Sequence, residues 1–127
     1  MKIKSLLVSF LFISLFLSVS QLQAQTGKTL RHVVMFKFKD TATPANIKTV
    51  EDAFAQLPKK ITTIKSYEWG INSSPEGLNQ GLTHCFLLTF SSDKDRNDYL
   101  VHPAHKEFGK ILGPFLDKVT VVDFWVK

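Results

Sequence analysis

A single cysteine in 127 residues removes several architectures at once. Cys85 has no partner for an internal disulfide and cannot build a multi-cysteine zinc site. Arginine-rich runs are missing as well, and the basic residues are scattered, with Lys59-Lys60 a lone weak doublet. That distribution argues against nucleic acid as a partner. Only one apolar run is long, Leu6 to Val19, and its 14 residues fall short of the ~20 that cross a bilayer. No internal repeat or low-complexity tract is present. A chain of this length holds one domain rather than two. With 44% hydrophobic and 21% charged residues it has enough apolar matter to fold, which excludes a disordered polyelectrolyte.

The apolar run stands where a secretion signal belongs. Met1 to Lys4 (MKIK) carries two lysines, Leu6 to Val19 is apolar and serine sequence, and Gln21 to Gln25 turns polar. This order predicts a signal peptide over residues 1–24, leaving a domain over residues 28–127 in a secreted or periplasmic location. Cleavage is expected after Ala24. Leu22 is bulky where a small residue is preferred, so cleavage after Ser20 is the alternative, and a retained anchor is the competing reading. No cysteine follows the run, which excludes lipid attachment there. The two lysines leave with the signal, so the formal charge falls from +5 to +3. No membrane partner is expected after cleavage. Cys85 lies in an apolar strand pattern and is expected as a small buried hydrophobe.

In the remaining chain the periods alternate between two and about three and a half. Leu30 to Phe38 (LRHVVMFKF) alternates strictly, with His32 on the face of Val34, Phe36 and Phe38. Thr43-Pro44 opens a helix that shows Ile47, Val50, Phe54 and Leu57 on one side and stops at Pro58. Ile61 to Ile71 is β-branched and aromatic and predicts a strand. Asn72 to Gly81 is a loop. Leu82 to Phe90 is the third strand, with His84, Phe86, Leu88 and Phe90 on one face. Asp93 caps a helix to about Val101, His102-Pro103 breaks it, and a further helix from Ala104 to Leu112 buries Phe108, Ile111 and Leu112. Lys118 to Val126 closes the set as a strand.

Strand, helix, strand, strand, helix, strand in one small domain is the ferredoxin-like split βαβ arrangement, an α+β fold. Helices cover only one side of such a sheet, yet both faces of the last strand are apolar: Val119, Val121 and Trp125 on one, Val122, Phe124 and Val126 on the other. An uncovered apolar face marks an interaction surface. A homodimer packed sheet to sheet is the simplest way to bury it. Charge at Val121 would then dissociate the dimer if that residue lies on the bare face, which parity alone does not decide. Trp69, Trp125, Phe108 and Phe115 are expected in the core or the interface.

Four histidines remain: His32, His84, His102 and His105. Tyr99 and His105 flank the break at Pro103, while His32 and His84 share strand parity with Phe36 and Phe86. If helices cover that face, Tyr99, His105, His32 and His84 converge on one cavity. An imidazole with an ordinary pKa of about 6.5 suits proton removal alpha to a carbonyl. A phenol can stabilise the resulting enolate oxygen. Near a helix N-terminus the dipole disfavours the imidazolium and keeps His105 a base. Imidazoles also suit zinc or copper, but no carboxylate stands at a recognisable spacing to orient them, so no metal is expected. The bland alternative is a capped histidine and packed aromatic rings.

The quoted pieces resemble the Dabb family, the stress-responsive dimeric α/β barrels. They are Arg31-His32-Val33-Val34-Met35-Phe36-Lys37-Phe38-Lys39-Asp40, Tyr67-Glu68-Trp69-Gly70, Gly81-Leu82-Thr83-His84, Asp98-Tyr99-Leu100-Val101-His102-Pro103-Ala104-His105 and Val122-Asp123-Phe124. Together they reach over essentially the whole chain after the signal. The resemblance implies a ferredoxin-like protomer whose dimer closes into a barrel. In the best understood enzyme of that family, a cofactor-free plant cyclase that folds a linear polyketide by aldol condensation, the residues matching Tyr99 and His105 are catalytic. Those matching His32 and His84 lie at or near the pocket and imply substrate binding. A secreted protein has poor access to acyl-thioester polyketides, so that substrate is not carried over. Two readings stay open: a cofactor-free enzyme acting on a hydrophobic carbonyl compound, and a non-catalytic stress-responsive or ligand-binding barrel. A heme- or quinol-directed monooxygenase rests on fold analogy alone.

Overall fold

The computed structural model describes residues 27–127, so the signal peptide expected over residues 1–24 lies outside the described residues. Strand β1 (Leu30–Phe38) buries every second residue from Leu30 onward, as its alternation requires. Helix α1 (Pro44–Ala55) starts with a reciprocal cap. The Thr43 hydroxyl accepts from the Asn46 N–H at 3.2 Å, and the Asn46 side chain accepts from the Thr43 N–H at 3.0 Å. The chain breaks at Gln56 and turns once more as α2 (Leu57–Lys60), where Pro58 sits in the first turn and needs no donor.

Strand β2 spans Ser66–Ile71, shorter than the sequence pattern suggests. Ile61 and Ile64 are three apart, and both plug the core from successive turns in which the Ile64 N–H bonds the Ile61 carbonyl at 3.2 Å. Strand β3 (His84–Phe90) likewise begins two residues late, because Leu82 closes a turn with Asn79. Helix α3 (Asp93–Val101) is capped by Ser92, whose hydroxyl accepts from the Asp95 N–H at 3.0 Å; Asp93 is its first residue rather than its cap. Helix α4 (Pro103–Leu112) and strand β4 (Leu116–Trp125) complete the chain.

The four strands form one antiparallel sheet in the order β2-β3-β1-β4. Each strand–helix–strand crossover leaves a gap that the other unit fills, which is the ferredoxin-like α+β fold. Helices cover the face that carries Leu30, Val34, Phe36, Phe86, Leu88 and Phe90. Phe54 of α1 stacks parallel on Phe86 at 4.1 Å, and Phe108 of α4 meets Phe54 edge-on at 4.8 Å. Such ring pairs add about 0.5–1.5 kcal/mol each beyond their buried area.

The opposite face has no cover in the protomer. The register sets Val121 against Val34 and Val119 against Phe36, on the helix side. Val122 and Phe124 therefore lie on the bare face with Val33, Met35, Cys85 and Leu87, and a dimer-breaking charge belongs at Val122, not Val121. Cys85 is exposed on that face, against the expectation of a buried thiol.

Candidate functional site

The site starts from the His102-Pro103 junction. A residue before proline is pushed out of the helical region, and His102 is extended at φ −63°, ψ 138°. Its Nδ1 accepts from the Ala104 N–H at 3.0 Å, so the histidine that ends α3 also caps α4. This corner brings the last turn of α3 against the first turn of α4. The rings of Tyr99 and His105 lie 4.4 Å apart.

Both groups are tuned by that position. The Nδ1–H of His105 donates to the Leu100 carbonyl at 3.2 Å, which leaves Nε2 as the ring's lone-pair nitrogen. Burial lowers the His105 pKa below its ordinary value. The Leu100 bond opposes that shift, and charge on His32 would add to it. Tyr99 is 1% exposed, and burial drives its phenol well above the usual range, so it stays a proton donor.

His32 approaches from the sheet and meets the Tyr99 ring edge-on at 5.6 Å. Its Nδ1–H donates to Asp123 Oδ1 at 2.6 Å, and the Arg96 guanidinium bonds the other oxygen of the same carboxylate. Arg96 also reaches Asp93 Oδ1 at 3.2 Å and Asn97 Oδ1 at 2.9 Å. Asp123 stands in one of the family-matching pieces without a role there, and Arg96 in none; the structure sets Asp123 opposite His32 across the β1–β4 ladder. A lone acid in an apolar strand at the parity of the core face was the signal available.

Tyr99, His105, His32 and Asp123 line a cavity of about 310 Å³ between β1, β4 and the α3–α4 pair. Phe36, Phe54, Phe108, Leu112, Val119 and Val121 make its apolar walls. The volume falls in the range of small-molecule sites, about 300–1,000 Å³. The structure thus joins Tyr99, His105 and His32.

His84 is elsewhere. It pairs with Phe36, four residues along β1 from His32, which is about 13 Å at ~3.3 Å per residue. Equal parity gives the same face but not the same place. Its Nε2–H donates to Glu51 at 3.0 Å and its Nδ1 accepts from the Thr83 hydroxyl at 2.8 Å, so both nitrogens are occupied. It borders instead an open hollow of about 590 Å³ floored by the bare-face residues Met35, Cys85 and Thr120. Among the described residues no three His, Cys, Asp or Glu side chains are grouped to hold a metal ion.

The model of the stress responsive A/B barrel domain, Dabb, matches residues 30–126. The chain belongs to the Dabb family. It is similar to the stress-response A/B barrel domain-containing protein HS1 of Arabidopsis thaliana, at 40% identity over 75% of this chain and 87% of that one. It is also similar to olivetolic acid cyclase of Cannabis sativa, at 30% identity over 75% of this chain and 94% of the cyclase. Among solved structures, the Arabidopsis thaliana protein At3g17210 superposes with a TM-score of 0.73 at 39% identity, covering 77% of this chain and 95% of its own. A dimeric ferredoxin-like protein of unknown function from Thermobifida fusca matches with a TM-score of 0.67 at 27% identity, over 80% and 93% of the two chains. The ferredoxin-like fold thus occurs in dimers among the similar structures, and one relative of this chain is named as a cyclase.

Proposed function

We propose that this Dabb chain is a secreted homodimer whose cavity binds a small hydrophobic carbonyl compound and moves a proton at the carbon beside the carbonyl. His105 is the general base and Tyr99 the donor to the oxygen. His105 Nε2 takes the proton, the electrons of the C–H bond move onto the carbonyl oxygen, and the Tyr99 O–H donates to that oxygen as charge develops. The carbanion equivalent then attacks a second carbonyl or recovers its proton. Both functions are side chains of this chain, so the step calls on no cofactor. His32 forms the floor, held by Asp123. His84 has no part in it, because both ring nitrogens already have partners.

One observation carries the reading. The two rings touch at 4.4 Å on the wall of a cavity, with the His105 Nδ1 tied to the Leu100 carbonyl. Dimerisation is supported by the half-exposed Val122 and Phe124 on the bare face and by dimeric relatives of the same fold. Secretion is supported by the order of the first 24 residues. The test is proton exchange in D₂O with 4-phenyl-2-butanone as the probe, followed by NMR. Wild-type protein should speed deuterium uptake beside the carbonyl, and His105→Ala should return it to the buffer rate. Binding of the ketone with no acceleration would replace the enzyme by the other reading, a ligand-binding barrel.

A further inference from the structure

The cavity has an electrostatic character that the acid–base pair does not require. Among the described residues no lysine or arginine lines it. Among the described residues the one formally charged side chain on its wall is Asp123, and that carboxylate is shared between His32 and Arg96. Arg96 itself stands outside the cavity lining, and each of its three nitrogens bonds an oxygen of a neighbour: Asp123, Asp93 and Asn97. Arg96 is positioned for this by α3, where it stands one turn before Tyr99.

We infer that the cavity selects uncharged carbonyl compounds, and that Arg96 sets this selectivity by neutralising Asp123 from outside the cavity. The inference rests on the carbonyl reading above and narrows its substrate class. A carboxylate ligand would lose its water, with no cation on the wall to replace the lost hydration. An ammonium ligand would meet a carboxylate whose charge Arg96 has already countered. A ketone or aldehyde gives up little hydration, and its oxygen finds the Tyr99 phenol. Specificity of this kind comes from what is penalised as much as from what is bound.

Three probes of one shape separate the cases: 4-phenyl-2-butanone, 3-phenylpropanoate and 3-phenylpropylamine, titrated by NMR into the full mature protein. Wild type should bind the ketone, with both ions at least about tenfold weaker. In Arg96→Met the amine should gain about tenfold while the ketone changes little, and Arg96→Lys should keep the wild-type order. Asp123→Asn provides an independent arm: it takes away the carboxylate that counters Arg96, so 3-phenylpropanoate should gain and the amine should not. Equal binding of ketone and carboxylate by wild type would overturn the selectivity while leaving the carbonyl site standing. An amine affinity unmoved by Arg96→Met would remove the role of Arg96. Failure of the ketone to bind at all would instead sink the reading on which the inference rests.

Discussion

Val121 and Val122 are neighbours with nearly equal exposure, 51% and 48%, yet they should respond oppositely to the same substitution. Val122 lies on the bare face and Val121 on the cavity side. Fully burying a valine side chain is worth ~1.5–3 kcal/mol, so covering the open half of Val122 is worth about 1 kcal/mol. A two-fold dimer counts each substitution twice, which makes about 2 kcal/mol. Val122→Glu also forces two carboxylates toward a dry interface, at several kcal/mol of desolvation per ion when fully buried. Even a partial penalty brings the loss to at least about 4 kcal/mol, roughly a 10³-fold weaker dimer. Sedimentation velocity over a concentration series reads this directly. Val122→Glu should be monomeric at micromolar concentration, while Val121→Glu stays dimeric and loses ketone binding. Dissociation by both variants, or by neither, would refute the assignment of faces.

Tyr99→Phe should slow proton exchange by about 10²–10³, the usual cost of one oxyanion donor, and His105→Ala should cost more because the proton acceptor itself is gone. Phe54→Ala empties the stack between Phe86 and Phe108 and should destabilise by about 3–5 kcal/mol, measured by urea unfolding. His105 has a folded pKa below the unfolded value near 6.5, so the unfolded chain binds more protons between the two. Stability should be full above about pH 7 and decline as pH falls through that window, levelling off below the folded pKa, with the slope reduced in His105→Gln. Intact mass of secreted protein should correspond to a chain beginning at Gln25; a retained Met1 would contradict the signal peptide.

Where hydrophobic period and element coincide, the fold is legible in the residues. Leu30 to Phe38 alternates because one face is core, and Thr43-Pro44 starts α1 with its own cap. Boundaries fail where a β-branched residue serves a turn: Ile61 and Ile64 look like strand by composition but are spaced for successive turns. Serine at position 92 out-competes Asp93 as cap, a choice of one residue that composition does not make. Parity identifies two faces of β4 without saying which one the helices cover, and that decides Val121 against Val122 and the exposure of Cys85.

The site divides along the same line. Tyr99 and His105 are six residues apart around a proline corner, so local chain geometry brings them together. The partners of the strand histidines come from long range, 91 residues away for Asp123 and 33 for Glu51. Those contacts separate a histidine on the cavity floor from one tied into the core. No spacing in the sequence encodes that distinction.

The proposed chemistry requires His105 to be a neutral base that presents Nε2 to the cavity. Long-range ¹⁵N–¹H NMR of the imidazole at pH 7 tests it in one spectrum. The expected spectrum shows a protonated Nδ1, held by the Leu100 carbonyl, and a lone-pair Nε2 whose resonance moves when 4-phenyl-2-butanone is added. A proton on Nε2 at that pH, or an Nε2 resonance indifferent to the ketone, would contradict it.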